Sequence, residues 1–140
     1  MSENIQVFSE VVMTSEIQRF EWKLFFDKLS RDATDWETSV QVINDLEGAQ
    51  IMSEGLPFNG VTFDDKGVKA VIEVLIGSGT SNHQTHNISE PVRVAFESTG
   101  KGPSGTLDIE DASGTKTLVT LMRPMPVLAV YNSSEMVAFA

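Results

Sequence analysis

Two histidines three residues apart, His83 and His86, follow the run Gly77-Ser78-Gly79-Thr80 at the end of an apolar stretch. Residues of these types could cradle a phosphate or hold a metal ion. A dinucleotide turn needs a strand, a glycine turn and a helix whose N-terminus faces the pyrophosphate. The apolar run supplies the strand. The third glycine is missing, no helical period follows Thr80, and the Gly-Lys-Ser/Thr of a phosphate loop is absent. The run therefore reads as a polar link between strands. Two imidazoles at this spacing can share a metal where the backbone curls locally. In an extended segment the same spacing sends them to opposite faces. His83 and His86 are the metal candidates on these grounds, and a third ligand such as Asp64 or Asp65 would have to join them. Their plainer reading is as surface or hydrogen-bonded histidines.

Other chemistry is thinner still. No serine sits in a G-x-S-x-G elbow, so the acyl-transfer set of nucleophile, base and orienting group is not assembled. The acid pairs Asp64-Asp65 and Glu110-Asp111 fall in predicted turns, where carboxylates usually bind nearby amides or water. The sequence contains no cysteine, which excludes disulfides, thiolate zinc sites and thiol catalysis. The reading assigns no catalytic residue, no cofactor-binding residue and no cofactor. The aromatics Trp22, Phe25, Phe26 and Trp36 could form a binding platform, but they lie on faces that already need covering, so they read as core.

The elements that would position these residues follow from hydropathy periods. Ser15 and Gln18 have the spacing of a capping box. Trp22, Phe25, Phe26 and Leu29 then recur on one face of a 3.6-residue period, predicting a helix over about 15–30. From Trp36 the period is two, with Trp36, Thr38, Val40 and Val42 alternating against Glu37, Ser39 and Gln41. Residues 49–63 read as a strand broken by Gly55, Pro57 and Gly60, the mark of a bulge, an edge or a sharp bend. Residues 68–76 read as the central strand and 88–98 as one further strand. Residues 107–110 and 115–122 form a hairpin around Asp111-Ala112-Ser113-Gly114. The expected fold is mainly β, of the α+β type. An N-terminal helix precedes a strongly bent, five- to six-stranded antiparallel sheet or small half-open barrel of Sm-like or SH3-like form. Residues 1–13 are expected as a loose leader, 14–125 as a single domain and 126–140 as an apolar tail.

The chain has 140 residues, 41% of them hydrophobic, which is enough for one domain with its own core. Lys and Arg number 10 against 20 acids, for a net charge of −10. That charge repels phosphate backbones and anionic lipid, so neither nucleic acid nor membrane is an expected partner. No apolar run reaches the roughly 20 residues of a membrane span. The first residues carry acids without a basic n-region and do not read as a signal peptide, so a cytoplasmic setting is expected.

The stretch Trp22-Lys23-Leu24-Phe25-Phe26-Asp27, with Trp36 opening a strand, resembles the W-x-x-F-F-D block of a small bacterial domain family of unknown function. So do His86-Asn87-Ile88 as an H-x-I block, Pro91-Val92-Arg93-Val94, and Leu107 to Gly114 followed by Thr117-Leu118. The resemblance covers about 110 residues. It implies a stand-alone bacterial cytoplasmic domain and brings no activity, cofactor or partner with it. The long glycine-rich link before His86 and the apolar tail after Pro126 depart from the family pattern. The functional expectation is a non-enzymatic binding or self-assembly module, forming a homodimer through a sheet edge or the tail. The alternative is a small-ligand or metal-binding protein using the link from Gly77 to His86.

Overall fold

The computed structural model describes residues 13–78 and 82–125. The expected leader, except for Met13, and the expected tail from residue 126 lie outside the described residues. So does the 79–81 part of the glycine run.

Residues that had the spacing of a capping box begin a strand instead. β1, Met13–Ile17, pairs antiparallel with a later strand and sets Ser15 opposite Phe96. A 3-10 turn at Arg19–Glu21 follows, with no side-chain cap from Gln18. The helix α1 starts at Trp22 and ends at Asp32, not at 15–30. The Trp22 indole N–H donates to the Ile17 carbonyl at 2.9 Å, which ties the helix start to the strand end. The helix contains neither glycine nor a β-branched residue, so little opposes it locally. Its buried side chains are Trp22, Phe26 and Leu29, and Phe25 packs half-buried beside them. Asp35, at φ 66°, then turns the chain into the next strand, in the left-handed region that a short polar side chain tolerates.

The remaining strands are β2 (Trp36–Asn44), β3 (Gly48–Asp64), β4 (Val71–Ile76), β5 (Gln84–Ser89), β6 (Pro91–Ser98), β7 (Gly105–Asp111) and β8 (Lys116–Pro124). All pairings are antiparallel, in the order β1-β6-β7-β8-β2-β3-β4-β5. The fold is thus mainly β, with eight strands in one open sheet and a single short α-helix among the described residues. This corrects the five- to six-stranded expectation and its Sm-like or SH3-like barrel. One extra strand is β1. Another comes from the segment 88–98, which breaks at Glu90, where φ is 55°. The Glu90 N–H donates to the Ala70 carbonyl at 2.8 Å, and its carbonyl accepts from Ala112 N–H at 2.9 Å. Those two bonds hold a corner, so β5 and β6 are continuous in sequence but lie in different ladders. Among the described residues, no ladder joins the β1 and β5 ends of the order. The apolar segment expected at the centre is also displaced. It begins at Val71, Val68 is exposed, and β4 lies next to the β5 end.

β3 holds the design together. It runs 17 residues, lying on β2 from Gly48 to Pro57 and on β4 from Phe58 to Asp64. Between the two ladders it turns a corner. Proline has no N–H to give, and Gly60 adopts φ 151°. Backbone groups at the corner are taken up by neighbouring elements. Asp35 N–H donates to the Phe58 carbonyl at 2.8 Å, and Gly77 N–H to the Pro57 carbonyl at 2.9 Å. Ser30, on α1, accepts from Val61 N–H at 3.0 Å and donates to the Val61 carbonyl at 3.2 Å. A side chain at Gly60 would come within 3.4 Å of Ser30 Oγ.

The helix closes over this corner. Trp22 meets Phe63 edge-on at 4.9 Å between centroids, and Phe26 packs with Phe58, Val61, Ile72 and Leu107 in one core. Phe26→Ala is expected to lower the unfolding free energy by about 3–5 kcal/mol, because the ring is fully buried. Ser30→Ala is expected to lose about 1–3 kcal/mol by leaving the Val61 backbone without its partner. Leu24→Ala, at a side chain 75% exposed, is expected to stay within about 0.5 kcal/mol. Urea unfolding of the three variants checks the order. A small loss for Phe26 would place that helix face at an interface instead of in the core.

Candidate functional site

The link between β4 and β5 is built around Gly77. Its φ is 133°, and a Cβ there would sit 2.1 Å from the Asn82 carbonyl oxygen and 2.6 Å from the His83 Cα. Only glycine lets the two backbones approach this closely. Asn59 Nδ2 donates to the Gly77 carbonyl at 3.1 Å, so the link is also tied to the β3 corner. The first glycine of the run therefore has a packing role.

His86 lies in β5 opposite Val74, half-buried, and its Nε2 donates to Gln84 Oε1 at 3.1 Å. Burial disfavours the imidazolium and pushes its pKa below the usual histidine value. His83 is exposed just ahead of the strand and outside the ladder. Among the described residues, no group of three or more His, Cys, Asp and Glu side chains converges as a metal set would.

The acid pairs are tied up locally. Asp64 Oδ1 accepts from Lys66 N–H at 2.9 Å. Asp65 receives the Lys23 ammonium at 3.1 Å, and that hydrogen bond holds its carboxyl below the usual range. Asp111 Oδ1 accepts from Ser113 N–H at 2.9 Å, Ser113 Oγ at 2.7 Å and Thr115 N–H at 3.0 Å, which shapes the β7–β8 turn. Glu110 stands in β7 opposite Lys116.

The aromatic set divides. Trp22 and Phe26 are core, while Phe25 and Trp36 are half-buried against it. Phe25 meets Phe96 at 5.6 Å and lines a small cavity of ≈ 180 Å³ with Leu29 and Pro103.

Two features escaped the sequence reading. The first is Arg19, whose guanidinium carbon lies 5.0 Å from the Trp22 ring centroid and 5.1 Å from that of Phe63. It lines two clefts, one of ≈ 440 Å³ and one of ≈ 430 Å³. The available signal was a lone Arg-Phe pair directly before the helix. The second is the first half of β3, which among the described residues has β2 on one side and no strand on the other. Leu46 in the preceding turn is 96% exposed, and Ile51 on this segment is 61% exposed. Among the described residues, no helix is long and apolar enough to cross a membrane.

The model of a family of unknown function (DUF5335) matches residues 13–129. No curated protein and no solved structure matches the chain.

Two outcomes follow from the link. Gly77→Ala is expected to destabilise the fold by several kcal/mol, on the order of a severe core lesion, because the clashing atoms are backbone. A variant as stable as the parent would remove the packing role. For His86, the unfolded chain takes up a proton below about pH 6.5 that the folded chain resists. Stability conferred by the neutral ring is therefore lost as pH falls through that value, levelling once the folded imidazole also protonates. The difference between the parent and His86→Gln in urea unfolding, followed from about pH 8 to pH 5, should shift against the parent on acidification. A flat difference would show that burial does not perturb the ring.

Proposed function

The chain belongs to the family of unknown function DUF5335, and from that premise we propose that it is a non-enzymatic binding module that self-associates through a sheet edge. The observation that carries this reading is the one-sided half of β3. Along residues 48–56 the strand has a free side among the described residues, and Leu46, Ile51 and Met52 expose apolar surface beside it. An exposed strand edge is a template for another strand, and a soluble surface seldom leaves such apolar groups together without a use.

The edge is also limited. Register shifts in the β2–β3 ladder leave Met52 and Gly55 as extra residues on β3, and such bulges interrupt continuous pairing. That leaves the short run Gly48-Ala49-Gln50-Ile51, which carries no charge. Antiparallel pairing about a two-fold axis keeps the two Glu47 side chains at opposite ends of such a contact. A homodimer is the simplest closed assembly of this kind. The net charge of −10 opposes it, so screening by salt strengthens it. The apolar runs 127–130 and 136–139, outside the described residues, are the other candidate contact. The same charge argues against nucleic acid as a partner, and the reading keeps the chain in the cytoplasm.

The alternative, a small ligand or metal at the link carrying His83 and His86, has weaker support, since His86 already bonds to Gln84. A zinc titration lost together in His83→Ala and His86→Ala would promote it.

Sedimentation velocity at micromolar concentration tests the main reading. The full chain is expected to dimerise, more strongly in salt, and Ile51→Lys is expected to return it to monomer without unfolding it. A full-length chain that stays monomeric throughout would end the self-association proposal. A dimer untouched by Ile51→Lys would move the contact to the tail, which a chain ending at Met125 would then disrupt.

A further inference from the structure

We infer that Arg19 anchors a second binding surface, one that takes an extended acidic and apolar peptide segment of another protein. The carboxylate would sit on the guanidinium, with apolar side chains in the two clefts that it lines.

The argument begins with how Arg19 is held. Its planar group lies against two aromatic rings, at 5.0 Å from Trp22 and 5.1 Å from Phe63. Cation–π contact with the two rings holds the guanidinium in place without spending its N–H donors. Among the described residues, one of the five N–H groups a guanidinium offers makes a bond, a long one from Nη1 to the Pro91 carbonyl at 3.4 Å.

Neighbouring cations are treated differently. Lys23 pairs with Asp65 at 3.1 Å, Lys69 with Glu90 at 3.1 Å and Arg93 with Glu16 at 3.5 Å. Arg19 has no carboxylate in ion-pair contact among the described residues. In a chain with 20 acids and 10 bases, a preorganised guanidinium left this way is a site for a carboxylate from elsewhere.

The surroundings describe the rest of the ligand. Arg19 lies in the wall of both clefts. Val68, Ala70 and Val92 line one with the Lys69–Glu90 pair, and Phe20 and Phe63 line the other with the Lys23–Asp65 pair, so each acid in the walls already has its lysine. Phe20 is 86% exposed and Val92 58% exposed, so both rims offer apolar surface. In an extended peptide, side chains two residues apart share a face. A carboxylate on Arg19 thus directs its i−2 and i+2 neighbours toward the two clefts, which defines the pattern apolar-x-Glu-x-apolar. A carboxylate flanked by apolar side chains is the complement of this surface. Nucleic acid fits less well, because the chain repels a phosphate backbone.

The probe is a fluorescein-labelled peptide with capped ends, Ser-Leu-Ser-Glu-Ser-Leu-Ser, titrated with the full chain and followed by fluorescence anisotropy. The net charge of −10 repels an acidic probe, so non-specific attraction cannot imitate the result. Saturable binding is expected. It should weaken about tenfold with Arg19→Lys, which keeps the charge but loses the two-pronged contact. It should also weaken with Phe20→Ser and with glutamine replacing the glutamate of the probe. Phe20→Ser changes an exposed side chain, so it keeps the test decisive if Arg19→Lys disturbs the Trp22 stack. A flat titration with the parent chain overturns the proposal. So does binding that ignores both the glutamine peptide and Phe20→Ser.

Discussion

Everything in this molecule is fastened at the corner of β3. A strand that serves two ladders in turn must leave one before it joins the other, and the groups exposed in between cannot be left bare inside a core. Here the answer comes from three separate parts of the chain. The turn after α1 supplies Asp35 N–H, the link before β5 supplies Gly77 N–H, and the middle of α1 supplies the Ser30 hydroxyl. The helix is therefore more than an apolar lid. Its Trp22–Phe26–Leu29 face provides area, while Ser30 sets where that face lies along the strand. Burial alone is non-directional and would accept a helix slid along its axis.

The same fastening explains why chemistry is scarce in the link carrying the histidines. Gly77, Asn82 and His83 are engaged backbone against backbone, and Asn59 spans to the Gly77 carbonyl. A phosphate cradle needs its amide groups turned outward toward an anion. In this link the Gly77 amide points instead to Pro57.

Periodicity made part of this visible beforehand. The alternation from Trp36 to Val42 and the Asp111 turn between β7 and β8 each obey a local rule, and the structure contains both elements. The helix was legible through Trp22, Phe26 and Leu29, but its start was not. Ser15 and Gln18 have the spacing of a cap, yet a strand partner eighty residues away competes for the same backbone and wins. Glu90 was hidden for a related reason. The segment from Ile88 to Ser98 alternates well enough to look continuous, and the break depends on Ala70 and Ala112 arriving beside it. Arg19 offered no period at all. Its interest lies in the rings it lies against and in having no ion-pair partner among the described residues, and both are set by tertiary placement.

The order of the strands also carries information about time. Several neighbours, β2 with β3, β3 with β4, β4 with β5, and β7 with β8, are joined by short connections and can zip as they leave the ribosome or the denatured state. β8 on β2 is different, since Val40 faces Val119 from the far end of the described chain. β1 on β6 has a similar span, with Ser15 facing Phe96. Closing such loops spends chain entropy before any contact compensates it. Topologies rich in long-range pairing fold on the order of milliseconds to seconds. The meander from β2 to β5 can thus exist for a while without its seal on β2. During that interval one side of β2 is open, which the arrival of β8 closes.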